Sequence, residues 1–186
     1  MTSAPSRSRR DLGITALVEG FFASAWFGWG NAAPSSLSTF LVIGSIVGLL
    51  VAVAGALVGF RAPGTTAVFN DPSAGRRYGI VVGVEFGLAG LGAVVLGVLG
   101  YVDYIPVWVC AVVGVHFFAL VNVLRDPLLR PLGALMCVVP VLALVVAWWP
   151  GSDVKPGLVT GVGAGLLLLV FGSLALMRAV QTPELA

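Results

Sequence analysis

Six stretches of this chain are apolar almost without interruption, and short polar joints separate them. They cover residues 12–30, 37–60, 78–100, 104–124, 132–149 and 157–177. A membrane-spanning helix needs about 20 mainly apolar residues, and each stretch is apolar all round, unlike the amphipathic helix of a water-soluble bundle. The joints, residues 31–36, 61–77, 101–103, 125–127 and 150–156, collect the turn formers. The predicted fold is therefore all-α, a polytopic membrane protein of six transmembrane helices arranged as three hairpins. Residues 11–178 form the transmembrane domain, residues 1–10 a disordered cytoplasmic arm, and residues 179–186 a cytoplasmic tail. Asn70-Asp71-Pro72 and Asp126-Pro127 each set an acidic N-cap before a proline, so the third and fifth helices are expected to start ahead of their apolar stretches.

Small residues interrupt the apolar pattern at regular intervals. Gly79, Gly83 and Gly87 form one four-residue stripe and Gly157, Gly161 and Gly165 another, while Gly44/Gly48 and Gly55/Gly59 mark the two halves of the second helix. Apolar surface gains little by leaving lipid, so these stripes are predicted to be helix-packing faces. Pro140 is predicted to kink the fifth helix.

A repeat runs through the same pattern. Arg9-Arg10-Asp11-Leu12-Gly13-Ile14 leading to Glu19 returns, with one residue deleted, as Arg76-Arg77-Tyr78-Gly79-Ile80 leading to Glu85. Arg130-Pro131-Leu132-Gly133 is a weaker third copy, with Val139 in the place of the glutamate. The copies precede the first, third and fifth helices, so the period is a two-helix hairpin. Three similar parallel hairpins about a rough axis along the membrane normal are expected.

Composition agrees with the pattern: the chain is 59% hydrophobic and 10% charged, with a mean hydropathy of +1.05, against about 25% charged residues in a soluble domain. With six spans, all nine arginines fall on one side of the membrane and Lys155, the one lysine, on the other. Short loops keep arginine and lysine inside, so both termini are predicted to be cytoplasmic. Tyr101, Tyr104, Trp148 and Trp149 lie where an outer aromatic belt belongs. Abundant Ala, Gly and Val with arginine in preference to lysine point to a bacterial protein, hence to the bacterial cytoplasmic (inner) membrane. Ser8-Arg9-Arg10-Asp11-Leu12 resembles a twin-arginine export signal, with Ala23-Ser24-Ala25 as its cleavage site. The apolar run carries Glu19 and continues through Trp26 and Trp29, which favours a retained first helix. Cys110 and Cys137 lie within spans and are expected to be free thiols.

Three ionisable side chains fall deep within spans: Glu19, Glu85 and His116. Counted at about 1.5 Å per residue from the inner boundary, both glutamates lie about 10 Å deep and His116, on a helix descending from the outside, about 12 Å, so all three share one level. An ionised group there costs roughly 3 to over 10 kcal/mol unless it is paired or wetted. The three are predicted to converge inside the bundle as a protonatable centre, with Glu85 facing away from the Gly79/Gly83/Gly87 stripe. The opposing account makes them structural glue between helices, and Asn122 is expected to bond between helices as well. No catalytic residue, metal site or cofactor is predicted: a Walker loop, a Gly-x-Ser-x-Gly elbow and a second histidine are all missing.

Gly114-Val115-His116-Phe117-Phe118 followed by Arg125-Asp126-Pro127 resembles a pattern in small six-span integral membrane proteins of bacteria. The resemblance implies the fold and no activity. The functional expectation is a non-enzymatic, small proton-linked transporter or channel-like protein. The alternative is a membrane assembly or accessory subunit. Expected partners are the lipid bilayer, protons or a small solute, and a second copy or another membrane subunit, but no nucleic acid.

Overall fold

The computed structural model describes residues 7–31, 36–63 and 72–182. Six helices account for nearly all of them: α1 (Arg9–Gly30), α2 (Ser38–Arg61), α3 (Pro72–Val98), α4 (Ile105–Leu124), α5 (Leu129–Ala147) and α6 (Pro156–Gln181). A single 3₁₀ turn, Val102–Tyr104, leads into α4, and the described residues contain no strand. All six helices are long and apolar enough to cross a membrane. The chain is a multi-pass integral membrane protein.

The first helix starts earlier than the apolar pattern does. Ser8 is its N-cap, with the hydroxyl accepting from the Asp11 amide at 3.0 Å and donating to the Asp11 carboxylate at 2.7 Å. Ser8 and Asp11 thus form a Ser-x-x-acid capping pair, and Arg9 and Arg10, expected in the disordered arm, belong to α1. Residues 1–6, and the Asn70-Asp71 cap expected for α3, lie outside the described residues. Asp126 does not cap α5 itself. Its carboxylate accepts from the Leu128 amide at 3.0 Å in the turn before the helix. Arg125, in the left-handed region at φ 52°, ends α4 and turns the chain towards Asp126.

Close glycine contacts join α1 to two neighbours. A Cβ on Gly55 would lie 2.5 Å from the Leu17 amide, and one on Gly20 would lie 2.6 Å from the Ala52 amide, so α1 and α2 cross backbone to backbone. On the other side of α1, a Cβ on Gly161 would lie 2.5 Å from the Gly30 backbone, and Gly165 faces the Phe27 ring at 3.0 Å. Gly157 makes an ordinary contact with Pro106 at 3.4 Å. The core is shared by α1, α4, α5 and α6, with Trp26, Cys110, Leu132, Met136 and Leu168 buried within it. Both cysteines are free.

The three consecutive helix pairs pack internally, but they are not disposed alike about an axis. The first helix is wedged between α2 and α6, whereas α3 packs on α4 and on no other helix to a comparable extent. Consistently, α3 contains no buried residue. The stripe Gly79, Gly83 and Gly87 is therefore not a packing face within the chain: a Cβ at each would meet nothing within 4 Å. The helix instead meets α4 through Gly92, whose Cα side is covered by the Trp108 ring, and through the Trp108 indole N–H, which donates to the Leu88 carbonyl at 3.0 Å. A bulky ring seated on a glycine fixes which face of α3 points inward.

Contacts between ends show that the helices alternate in direction. The Arg10 guanidinium donates to the Ala62 carbonyl, and Arg7 is paired with Asp126. At the other end Lys155 is paired with Asp103 at 2.7 Å, and the Trp148 indole donates to the Tyr104 hydroxyl at 3.2 Å. The hydrogen bond from Lys155 to Asp103, then the aspartate's charge, holds that exposed ammonium above the usual lysine range. All nine arginines thus gather at one end of the bundle and Lys155 lies at the other.

Candidate functional site

The three buried ionisable residues do not form one centre. Glu85 of α3 and His116 of α4 come together, with Oε2 and Nδ1 3.1 Å apart. Their side chains are 14% and 9% exposed, so the pair lies at the α3–α4 seam, half-shielded. The separation suits an ion pair, but Nδ1 makes no hydrogen bond because its N–H is not directed at the carboxylate. With one proton between imidazole and carboxyl such a pair carries no net charge, the least costly state for two ionisable groups at membrane depth.

Glu19 lies elsewhere, at the α1–α6 seam. It is 6% exposed, and its Cβ is 3.1 Å from where a Cβ on Gly172 would stand. Its Oε2 is buried with no hydrogen-bond partner. Asp126 and Arg7 are close enough to act on its carboxyl electrostatically. The expected convergence fails because Glu19 and Glu85, although equivalent in the repeat, sit on helices that do not pack together to any extent.

In place of a triad, the structure assembles a cluster of polar side chains below Glu19 at the arginine-bearing end, termed the vestibule for its place at the mouth of the bundle. The Arg7 guanidinium pairs through Nη1 with the Asp126 carboxylate, and through Nη2 donates to the Thr15 hydroxyl and, at 3.4 Å, to the Asp11 carbonyl. Thr15 in turn donates to the Asp11 carbonyl at 2.9 Å. One helical turn separates Thr15 from Glu19, which places the two on one face of α1. Asp126 is only 5% exposed and the Arg7 side chain 17%. This ion pair is largely withdrawn from water and correspondingly less screened.

Arg7, Thr15 and Asp126 were not among the sequence-derived candidates. Arg7 fell in the arm read as disordered, and Asp126 read as a helix cap. The sequence does carry one signal, a threonine and a glutamate one turn apart near α1's start with an arginine just ahead of the helix, but the acid that completes the set is 119 residues from Arg7. Asn122, expected to bond between helices, is exposed on α4.

Among the described residues, no group of three or more His, Cys, Asp or Glu side chains is placed to hold a metal ion. An apolar groove of about 410 Å³ runs between α3, α4 and α5, lined by Leu96, Tyr104, Trp108, Pro140 and Leu144. It does not reach Glu19. Comparison with protein-family models, with curated proteins and with solved structures finds no match.

Proposed function

We propose that this is a small proton-linked, transporter-like or channel-like protein of the bacterial cytoplasmic membrane, acting without covalent chemistry, with its arginine-bearing end in the cytoplasm. Glu19 is its principal proton-binding group, and Glu85–His116 is a second, separate one. The observation that carries this reading is the buried Glu19 oxygen without a partner, one helical turn along α1 from Thr15, which is linked through Arg7 to Asp126. An acid that only fastened helices would have its acceptors filled, whereas one that exchanges protons must be reached from one face by polar groups.

The test is proton flux in liposomes containing the purified protein, read with an internal pH dye. Glu19→Gln keeps the shape and removes the ionisable group, and it is expected to lower flux at least about tenfold, the scale of losing one positioned proton carrier. Flux that is equal in wild type, Glu19→Gln and Glu85→Gln refutes the proposal.

One observation favours a second reading, that of an assembly or accessory subunit. The third helix buries nothing within the chain and leaves Gly79, Gly83 and Gly87 open, the kind of face on which another helix packs closely in a membrane. On that reading Gly83→Leu reduces association with a second copy or partner subunit while the monomer keeps its stability. A wild type that sediments as a monomer and copurifies with nothing speaks against it.

A further inference from the structure

The vestibule below Glu19 holds a cation in an incomplete fit. Arg7 uses both terminal nitrogens, yet its Nε is buried without an acceptor, while Oε2 of Glu19 is buried without a donor. A buried donor and a buried acceptor thus go unsatisfied, one on a side chain bonded to Thr15 and the other one helical turn along α1 from Thr15, and each such group costs about 1–3 kcal/mol. Arg7 enters from the chain immediately before the N-cap Ser8. Its withdrawal breaks no helical hydrogen bond, because the first one of α1 runs from the Leu12 amide to the Ser8 carbonyl.

We propose that the vestibule formed by Asp126, Thr15 and Glu19 binds a small organic cation of the guanidinium or primary-ammonium class, with the protein's own Arg7 acting as a tethered competitor. A free cation of this kind carries N–H donors on several sides, so it can serve the Asp126 carboxylate and the Glu19 oxygen together, which Arg7 does not. It also replaces the charge that Arg7 withdraws, so the Asp126 carboxylate keeps a cationic partner. Binding at this point displaces a proton from Glu19 or Arg7 from its pocket. The inference rests on Glu19 being the working carboxyl of the proposed function and names the solute class of that site.

The experiment measures binding without flux. The purified full chain is treated with a hydrophobic carbodiimide and modification of Glu19 is followed by mass spectrometry, in guanidinium, methylammonium, tetramethylammonium or sodium chloride at one ionic strength. Guanidinium and methylammonium are expected to protect Glu19 saturably and to raise the melting temperature, as a ligand specific to the native state does. Removing the competitor in Arg7→Ala lowers the half-protecting concentration about tenfold or more, since the apparent affinity scales with the fraction of open sites. Asp126→Asn abolishes protection, and tetramethylammonium and sodium, which have no N–H donors, give none. Protection that is the same for all four cations, unchanged in Arg7→Ala or retained in Asp126→Asn overturns the proposal. If Arg7→Ala does not fold, Arg7→Gln takes its place, because it removes the competing charge and keeps a polar side chain, and an unchanged half-protecting concentration there is equally fatal. Saturable protection in a protein with no proton flux leaves the site standing and removes transport, and flux without protection does the reverse.

Discussion

At the scale of single residues, the vestibule is set by one long-range pair. Asp126 both receives Arg7 and accepts from the Leu128 amide, so its removal strands a largely buried guanidinium and loosens the turn before α5. Asp126→Ala is expected to cost about 2–4 kcal/mol in thermal unfolding, within the range for breaking a buried pair on one side. Arg7→Ala should cost less, since it exposes a carboxylate near the bundle's end. In the double-mutant cycle the two should couple by about 1–3 kcal/mol, and additive losses would show that the pair is incidental. The glutamates and the histidine were legible in the sequence, because an ionisable side chain in an apolar run can be recognised without coordinates. Their partners were not, since pairing across 119 residues depends on which loop closes beneath which helix.

At the scale of helices, glycine spacing predicted contact but not which contacts form. Gly161 and Gly83 occupy comparable places in two four-residue stripes, yet a Cβ on Gly161 would press against the Gly30 backbone at 2.5 Å while one on Gly83 would meet nothing. Gly161→Ala is therefore expected to force α1 and α6 apart, at about 1–3 kcal/mol, the scale of overpacking. Gly83→Ala should leave the melting temperature unchanged or raise it, because alanine is the better helix former by up to about 1 kcal/mol. Equal losses at the two sites would mean that α3 is packed in the native protein, as the assembly reading holds. The asymmetry arises at Trp108: its ring covers Gly92 and fixes α3 by a face that periodicity alone does not distinguish from the opposite one.

At the scale of the whole molecule, the alternation of helix direction gathers nine arginines at one end and leaves Lys155 at the other. On the proposed reading, retention of positive loops on the inner side puts that end in the cytoplasm. With Cys110 and Cys137 left in place, Asp153→Cys in the α5–α6 loop is expected to react with a membrane-impermeant maleimide in intact cells, and Gln181→Cys at the end of α6 only after lysis. The reverse pattern would place the vestibule on the outer side and the solute would enter from there. By itself the sequence determined the six spans, the segregation of charge and the identity of the ionisable groups deep within the spans, because these follow from hydropathy and from the cost of charge in lipid, both local properties. Only the tertiary structure decided that α1 lies at the centre and α3 at the edge, that Glu85 meets His116 while Glu19 stands over Arg7 and Asp126, and that the repeat does not yield a symmetric bundle. Those outcomes depend on which backbones approach closely enough to interlock, and helices of near-uniform apolarity carry little of that information in their order of residues.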